Sequence, residues 1–153
     1  TREHMDKLRL NKACAIHRKS FKPVSSAIPT LSWLRKEGRI GQWGEQAAAV
    51  YLVERGYEIL TMKVHCAPYG EIDIIAEKDG IIIFAEVKTY SKKQLGTPVQ
   101  NIDRKKLKTL ETAIQKYAVD MQVKKDISLD VICVYLQPSA PKFEHFKGIR
   151  LDA

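Results

Sequence analysis

The pattern of hydrophobic and polar positions predicts a first helix in the stretch IGQWGEQAAAVYLVERG, residues 40–56. Its apolar residues recur at helical spacing: Ala47, Ala48, Tyr51 and Leu52. Gly56 is well placed to end this helix, because glycine readily adopts the left-handed conformation common just after a helix C-terminus. A strand is then expected from Tyr57 to about His65.

The next two apolar runs, residues 71–78 and 81–90, predict a β-hairpin. They are separated by Asp79-Gly80, which is a strong signal for a two-residue type I′ turn. With these two residues in the turn, Lys78 faces Ile81, and all further cross-strand pairs follow from that register.

This register brings charged residues together among positions that otherwise have the pattern of buried strands. It sets Asp73 opposite Glu86. Glu71 likewise falls opposite Lys88, and all four side chains share one face because side chains alternate along a strand. The other face of the hairpin is entirely apolar: Ile72, Ile74, Ala76, Ile83, Ala85 and Val87. We therefore expect the apolar face to cover the core and the charged cluster to lie on the reverse surface.

A second helix and one or two further strands are predicted after the hairpin. Thr97 can cap the helix, with Pro98 in its first turn and Gln100 three residues after the cap. The apolar stripe of this helix comprises Leu107, Leu110, Ile114, Tyr117, Ala118 and Met121. SLDVICVYL is then predicted as a buried strand and FEHFKGIRL as a candidate edge strand. This order of elements predicts an α/β sheet with helices packed on it.

Charge divides the chain into a basic arm and a nearly neutral domain. The chain has 153 residues, of which 44% are hydrophobic, enough for one globular domain with its own core. Its net charge of +8 comes mostly from residues 1–40, which hold ten Lys and Arg against three Asp and Glu. We predict a flexible basic arm over residues 1–36 and a domain over residues 37–153. Such an arm favours an anionic partner, nucleic acid before membrane, and a solubilising tail is the alternative.

The cysteines and the apolar runs of the chain predict where in the cell the protein is located. The three cysteines, at positions 14, 66 and 133, form no Cys-x-x-Cys pair, and the start of the chain lacks the charged-then-apolar order of a secretory signal. The longest apolar run in the strand region, residues 81–85, is far shorter than the ~20 residues of a spanning helix. We expect free thiols, a reducing cytoplasmic location and no membrane partner.

The charged cluster is a candidate metal site. Like charges directly opposite one another destabilise a sheet, so the repulsion between Asp73 and Glu86 must be offset. A raised pKa on one carboxyl, a neighbouring lysine or a bound divalent cation could each do so. Mg²⁺ usually takes one or two protein carboxylates and leaves positions for water and phosphate, which this pair suits. Lys88 could then orient or deprotonate an attacking water, whereas the simpler alternative is a local ion-pair cluster on an exposed sheet face.

The order Asp73, then Glu86-x-Lys88 across a hairpin, resembles the PD-(D/E)XK nuclease superfamily. The run from Gly41 to Pro98 is similar to the YraN-like family of that superfamily in two segments. The first helix and strand carry matching residues: Gly41, Gly44-Glu45, Ala48, Tyr51-Leu52, Gly56-Tyr57 and Ile59-Leu60. The hairpin carries the central signature, GEIDIIA at residues 70–76 and F-x-E-V-K-T at residues 84–89. The resemblance covers about residues 38–137 and leaves out the basic arm.

The resemblance implies a restriction-endonuclease-like fold, with a mixed central sheet flanked by helices, and a nuclease that depends on Mg²⁺ or Mn²⁺. By this resemblance Asp73 and Glu86 hold the metal together with Glu45 from the first helix. Lys88 assists the attacking water. The resemblance further implies DNA as the substrate, with a branched or single-stranded structure favoured, and a role in repair or recombination. Similarity to the Holliday-junction resolvases of the superfamily also implies a homodimer.

Two positions depart from the family pattern. Tyr90 stands where the family tends to have Arg, and Ser128-Leu129 precede Asp130 where Arg-Phe is usual. Apart from the arm, the candidates for replacing the phosphate contacts of those arginines are basic residues of the second helix: Arg104, Lys105, Lys106 and Lys108. Tyr90 could stack on an unpaired base or pack at the end of its strand.

Two other hypotheses stay open at this point. A nucleic-acid-binding module with an inactive site would keep the fold and lose the chemistry. An adaptor whose basic arm binds an acidic protein would leave the charged face of the hairpin unexplained. Because the sequence carries no recognition-helix or zinc-finger signature, recognition of DNA by shape is favoured over recognition by base sequence.

Overall fold

The computed structural model describes Lys36 and residues 38–90, 103–137 and 140–150. The helices and strands of these residues are α1 (Ile40–Glu54), β1 (Glu58–His65), β2 (Glu71–Lys78), β3 (Ile81–Tyr90), α2 (Arg104–Asp120), β4 (Asp126–Tyr135) and β5 (Lys142–Phe146). This order confirms the predicted succession of a helix, three strands, a helix and two strands. Residues 1–35 of the basic arm lie outside the described residues, as do Thr97, Pro98 and Gln100 of the predicted helix start.

The five strands form one mixed sheet in which neighbours in space are also neighbours in the chain. Every adjacent pair is antiparallel except β3 and β4, which run parallel over ten residue pairs. A parallel pair needs a crossover connection, and α2 lies in that connection. The predicted restriction-endonuclease-like fold, a mixed central sheet flanked by helices, is confirmed. None of the described helices is both long and apolar enough to cross a membrane.

One helix packs on each face of the sheet. The α1 face combines the small and apolar residues of the helix with alternate residues of β2 and β3: Trp43, Ala47, Ala48, Leu52, Ile74, Ala76, Ile83 and Ala85. The α2 face combines the intervening strand residues with the helix stripe: Ile75, Ile82, Phe84, Leu107, Leu110, Ala113 and Ile114. Both faces are therefore core. The prediction of an uncovered reverse face for the charged residues is wrong, because α2 packs over it.

The predicted hairpin is confirmed at its turn. Asp79-Gly80 has φ values of 52° and 76°, both left-handed as a type I′ turn requires. Lys78 pairs with Ile81, and the predicted register continues without a bulge to the pair of Ile74 and Ala85.

Beyond that pair, β2 separates from β3 and continues with β1 alone. The predicted cross-strand pair of Asp73 and Glu86 is therefore not part of the sheet. Glu71, which was predicted to lie opposite Lys88, pairs instead with His65 of β1. The charged residues thus lie around the place where two strands part.

Where β2 separates from β3, Ile72 lies on the opposite face of the sheet from Ile74. Ile74 pairs with Met62, and both pack on the α1 side of the sheet. Ile72 pairs with Val64, and both pack on the α2 side. The alternation of faces shifts between these pairs, where Lys63 of β1 has a left-handed φ of 52° that a regular strand does not allow. The prediction that Ile72 shares a face with Ile74 is wrong for this reason.

Asp130 is a buried hydrogen-bonding centre that joins β4, β5 and the residues after β5. Its carboxylate accepts hydrogen bonds from the Ser128 hydroxyl at 2.7 Å, from Nε2 of His145 at 2.7 Å and from the Gly148 amide at 3.1 Å. Only 1% of Asp130 is exposed. Burial alone would raise the pKa of Asp130, but these three hydrogen bonds outweigh it and lower the pKa.

Asp130→Asn is expected to lower the free energy of unfolding by about 3 kcal/mol at pH 7, because an amide offers one acceptor oxygen to the three donors around this buried position. Since the folded-state pKa of Asp130 is depressed, its stabilisation is present above the unfolded-state pKa and is lost as the pH falls through the folded-state pKa. Urea unfolding should therefore show a smaller difference between variant and wild type at pH 3 than at pH 7.

The matched control is Asp126→Asn, which changes an exposed residue at the start of the same strand. It should alter the free energy of unfolding by less than ~0.5 kcal/mol. Similar losses in the two variants would contradict the role assigned to Asp130.

Candidate functional site

Asp73 and Glu86 meet where β2 leaves β3. In a continued antiparallel ladder the amide of Val87 would donate to the backbone of β2, but here it donates to Oδ2 of Asp73 at 2.8 Å. The Asp73 carboxylate is thereby turned toward β3. Glu86, the residue before Val87, is only 3% exposed. The two carboxyl groups are thus brought together by the parting of the strands rather than by direct cross-strand pairing.

The pKa of Asp73 is raised to about 7. Burial is the largest cause, and the negative charge of Glu86 is the next. The hydrogen bond from Val87 opposes the shift, while the charge of Glu45 adds to it. Asp73 therefore exchanges a proton near neutral pH, which an ordinary exposed aspartate does not.

Two lysines neutralise Glu86 from the side of the sheet that α2 covers. Nζ of Lys106 lies 2.6 Å from Oε1 of Glu86, and Nζ of Lys88 lies 3.5 Å from the same oxygen. Lys88 stands two residues beyond Glu86 on the same face of β3, whereas Lys106 comes from the first turn of α2. The predicted neutralisation by Lys88 is present, but Lys106 makes the shorter contact.

Lys88 and Lys106 also shift one another's pKa. Burial, followed by the hydrogen bond and charge of Lys106, lowers the pKa of Lys88, and Glu86 opposes this only in part. Partial burial would lower the pKa of Lys106 as well, but its hydrogen bonds to Glu86 and Lys88 and the nearby carboxylates outweigh it and raise the pKa. Lys106 is therefore the persistent cation of the pair, and Lys88 is the one that more readily gives up its proton.

Glu45 approaches the same place from α1. Its Oε2 lies 3.2 Å from Nζ of Lys63, the residue of β1 with the left-handed backbone. Burial raises the pKa of Glu45, although the ion pair with Lys63 opposes the shift. The negative charges of Glu71 and Glu86 add to it. Glu45 thus lies within electrostatic reach of Glu86, from the opposite face of the sheet to Lys106.

The close approach of α1 to β3 depends on Gly44. A Cβ atom added to Gly44 would overlap Oγ1 of Thr89 and come within 3.0 Å of the Thr89 Cβ. No side chain fits there at this distance between helix and strand, and the next residue is Glu45. The Gly-Glu pair therefore lets α1 lie close enough to bring its carboxylate to the site.

The carboxylate pair suits a hard divalent metal ion. Mg²⁺ takes oxygen ligands and usually only one or two protein carboxylates, and a cation would relieve the repulsion that, after burial, raises the pKa of Asp73. Within the described residues, no three His, Cys, Asp or Glu side chains are grouped closely enough to hold a metal ion. Asp73 and Glu86 are thus the residues that would hold it, with Glu45 at the edge of the site and paired to Lys63.

Exposed basic side chains surround the start of α2. Arg104, Lys105 and Lys108 are exposed, and the first turn contains no acidic residue. Asp103 caps the helix by accepting a hydrogen bond from the Lys105 amide at 2.9 Å. Because cations are unfavourable at the positive end of a helix dipole, an anion bound here would stabilise the helix.

The structure brings together the four residues predicted for metal binding and catalysis. Glu45, Asp73, Glu86 and Lys88 lie in one cluster. Tyr90 is half-buried and stacks on Tyr135 with the ring centroids 5.4 Å apart, so it packs at the end of its strand. Of the two roles predicted for Tyr90, packing is the one that the structure supports.

Two lysines of the cluster were missed by the reasoning from sequence. Lys106 was predicted only as a phosphate contact, yet it lies four residues before Leu110 and seven before Ala113, on the buried stripe of α2. That position is a signal which could have placed Lys106 against the sheet. Lys63 carries no such signal, since its approach to Glu45 depends on a left-handed backbone inside a strand.

Comparison with known proteins supports the match seen in the sequence. The model of "Uncharacterised protein family UPF0102" matches residues 44–134. A UPF0102 protein of Syntrophomonas wolfei is 36% identical over 107 residues, which cover 69% of this chain and 92% of that protein. UPF0102 proteins of Alkaliphilus oremlandii (38% over 113 residues, 72% and 96%) and Herpetosiphon aurantiacus (31% over 118 residues, 74% and 94%) are also similar. The matched segment contains all the acidic residues and lysines of the cluster.

Asp73→Asn is expected to stabilise the protein in alkaline solution. Because the folded-state pKa of Asp73 is raised to about 7, its ionisation opposes folding, and stability falls as the pH rises from about 4 through 7. The variant escapes that loss and should be more stable by on the order of 2 kcal/mol at pH 8, with little difference at pH 4. The free energy of unfolding in urea, measured at the two pH values, tests this prediction.

The control variant is Glu71→Gln, which removes the negative charge of an exposed carboxylate on the same strand. An equal gain in stability in that variant would show that the effect does not come from the raised pKa of Asp73.

Gly44→Ala is expected to lower the free energy of unfolding by about 2 kcal/mol, because the added methyl group overlaps Thr89. Gly41→Ala is the control in the same helix: its Cβ meets no atom within 4 Å, and alanine should stabilise the helix by up to about 1 kcal/mol. Combining Gly44→Ala with Thr89→Ala should recover part of the loss. Thermal unfolding tests the set, and effects of the same sign at both glycines would show that α1 does not depend on this contact.

Proposed function

The chain belongs to the UPF0102 family, the YraN-like group that its sequence pattern indicated, and we propose that it is a metal-dependent nuclease. Its reaction would be the hydrolysis of phosphodiester bonds in DNA with Mg²⁺ or Mn²⁺ as cofactor. Within that activity, the proposal is a structure-specific endonuclease that acts on branched or single-stranded DNA in repair or recombination. The observation that carries the proposal is the meeting of Asp73 and Glu86 beside Lys88.

The carboxyl pair supports a metal-binding role on energetic grounds. Two carboxyl groups held so that the pKa of Asp73 rises to about 7 lower the stability of the fold at neutral pH. Apolar residues at these positions would avoid that cost, so the pair is more readily explained by function than by packing. A divalent cation between the carboxylates would replace their repulsion by attraction.

The residues of the chain have distinct roles in the proposed reaction. A divalent ion bound here would supply Lewis-acid activation of the scissile phosphate and of the attacking water. Asp73, after losing its proton, and Glu86 would hold that ion. Lys88, whose pKa is lowered by burial and by the charge of Lys106, would take a proton from the water or stabilise negative charge at the phosphate.

The basic start of α2 supports DNA as the substrate. Arg104, Lys105 and Lys108 are exposed on the helix whose first turn reaches Glu86 through Lys106. Each phosphate that they neutralise would steepen the salt dependence of binding by about one unit of log–log slope. These contacts read no base sequence, which fits recognition of a DNA shape. The basic arm would add to the affinity, and a homodimer would present two such sites to a branched substrate.

One observation favours a second candidate, a nucleic-acid-binding module with an inactive site. Lys106 already holds Glu86 at 2.6 Å, and a lysine in this place could substitute permanently for a metal ion. Such a module would bind DNA through the same basic residues and would cut nothing.

Cleavage of linear, nicked, flap and four-way DNA with Mg²⁺, Mn²⁺ or EDTA distinguishes the two candidates. The nuclease should cut at least one substrate with a metal and none in EDTA. Asp73→Ala should lower the cleavage rate at least ~10²-fold, and Lys88→Ala should lower it by about 10²–10³-fold, with DNA binding retained in both. Asp126→Ala, at an exposed carboxylate on β4, is the control that should keep the wild-type rate.

The outcomes of this assay separate the candidates cleanly. Cleavage in EDTA, or an undiminished rate for Asp73→Ala, would overturn the proposed mechanism. Binding without cleavage under either metal would establish the inactive module.

A further inference from the structure

We propose that Lys106 is an exchangeable cation of the candidate site. It holds Glu86 when no divalent ion is bound, and it moves to a nucleic-acid phosphate when a divalent ion takes Glu86. This inference rests on the proposed function and deepens it, because it names how binding of the metal and binding of the nucleic acid are coupled.

The contact between Lys106 and Glu86 competes directly with a metal ion. Nζ of Lys106 lies 2.6 Å from Oε1 of Glu86, with Nζ of Lys88 3.5 Å from the same oxygen. Mg²⁺ binds oxygen at about 2.1 Å, so a dication on Oε1 would stand next to an ammonium group. Glu86 is only 3% exposed, and water screens like charges poorly in such surroundings. The metal ion and Lys106 therefore exclude one another.

Lys106 is better placed to leave than Lys88. The side chain of Lys106 is 53% exposed, compared with 31% for Lys88. Lys106 can return its ammonium group to solvent by rotating its long stem, without movement of the backbone. Lys88 lies on β3, which is paired with β4 along its whole length.

A released Lys106 joins the exposed basic residues at the start of α2. Arg104, Lys105 and Lys108 lie within about one turn of it, and the first turn contains no acidic residue. The cap residue Asp103 already accepts the hydrogen bond of the Lys105 amide. The helix dipole disfavours this accumulation of cations, so an external anion is the partner that would stabilise it. Under the proposed function that anion is a DNA phosphate.

This exchange makes the two ligands cooperative. A metal ion that binds alone must displace Lys106 from Glu86, which weakens its apparent affinity. When DNA is present, the displaced lysine gains a phosphate, and the loss is partly offset. The metal ion and DNA should each tighten the binding of the other by the same factor.

Calorimetric titration with Mn²⁺ alone tests the first half of the exchange. Lys106→Met keeps the apolar stem and removes the competing ammonium group, so it should bind Mn²⁺ about tenfold more tightly than the wild type. Lys105→Met removes the same charge one residue away, where it is exposed and screened, and its affinity for Mn²⁺ should stay within about twofold of the wild type. Equal affinities for Lys106→Met and the wild type would overturn the inference and leave a metal-dependent nuclease intact. Absence of Mn²⁺ binding in both would overturn the proposed function and this inference with it.

DNA binding in EDTA tests the second half without any metal ion. Glu86→Gln releases Lys106, so the salt dependence of DNA binding should steepen by about one unit of log–log slope relative to the wild type. The double variant Glu86→Gln/Lys106→Met should lose that unit, whereas Lys106→Met alone should keep the wild-type slope. The same slope in Glu86→Gln and in the double variant would show that the released lysine does not reach a phosphate.

Discussion

The hydrogen bond from the Val87 amide to the Asp73 carboxylate takes the place of a backbone rung between β2 and β3. Because a side chain satisfies this amide, β2 can part from β3 without leaving that donor unpaired. Glu86 faces Asp73 in the resulting opening. Glu45 of α1 approaches this opening from one face of the sheet, and Lys106 of α2 approaches it from the other face. With a continued ladder, the carboxylates would be ordinary strand residues beneath a helix.

The three acidic residues of the cluster, Glu45, Asp73 and Glu86, each have a different kind of partner. One lysine pairs with Glu45, two lysines share Glu86, and Asp73 has a backbone amide that carries no net charge. Burial of Asp73, together with the repulsion from Glu86 that this amide does not neutralise, raises the pKa of that residue to about 7. The proton chemistry of the cluster near neutral pH is thus concentrated on one acid and on the lysine with the lowered pKa, Lys88.

Most of the fold could be predicted because its signals are local. Asp79-Gly80 predicted the turn and the register of the pairs next to it, since a preference for left-handed φ belongs to the dipeptide itself. The errors concern contacts that no local pattern contains. The end of the β2–β3 ladder, the face of Ile72 and the ion pair of Lys106 all depend on tertiary packing and on the acceptor found by Val87. Asp73 and Glu86 were predicted from the hairpin register and again from the family pattern, although the ladder ends one pair before them. Glu45 was predicted from the family pattern alone.

The strand that carries Glu86 is bonded to β4 as far as Tyr90, whereas the end of β2 that carries Asp73 is bonded to β1 alone. The backbone that carries Glu86 is therefore held more firmly than the backbone that carries Asp73. A change in their separation, whether a proton or an ion is exchanged, requires less distortion on the side of β1 and β2 than on the side of β3 and β4. In mechanical terms, the cluster has a rigid half on β3 and β4 and a compliant half on β1 and β2, so a change in the distance between the two carboxyl groups would displace Asp73 while Glu86 stays in register.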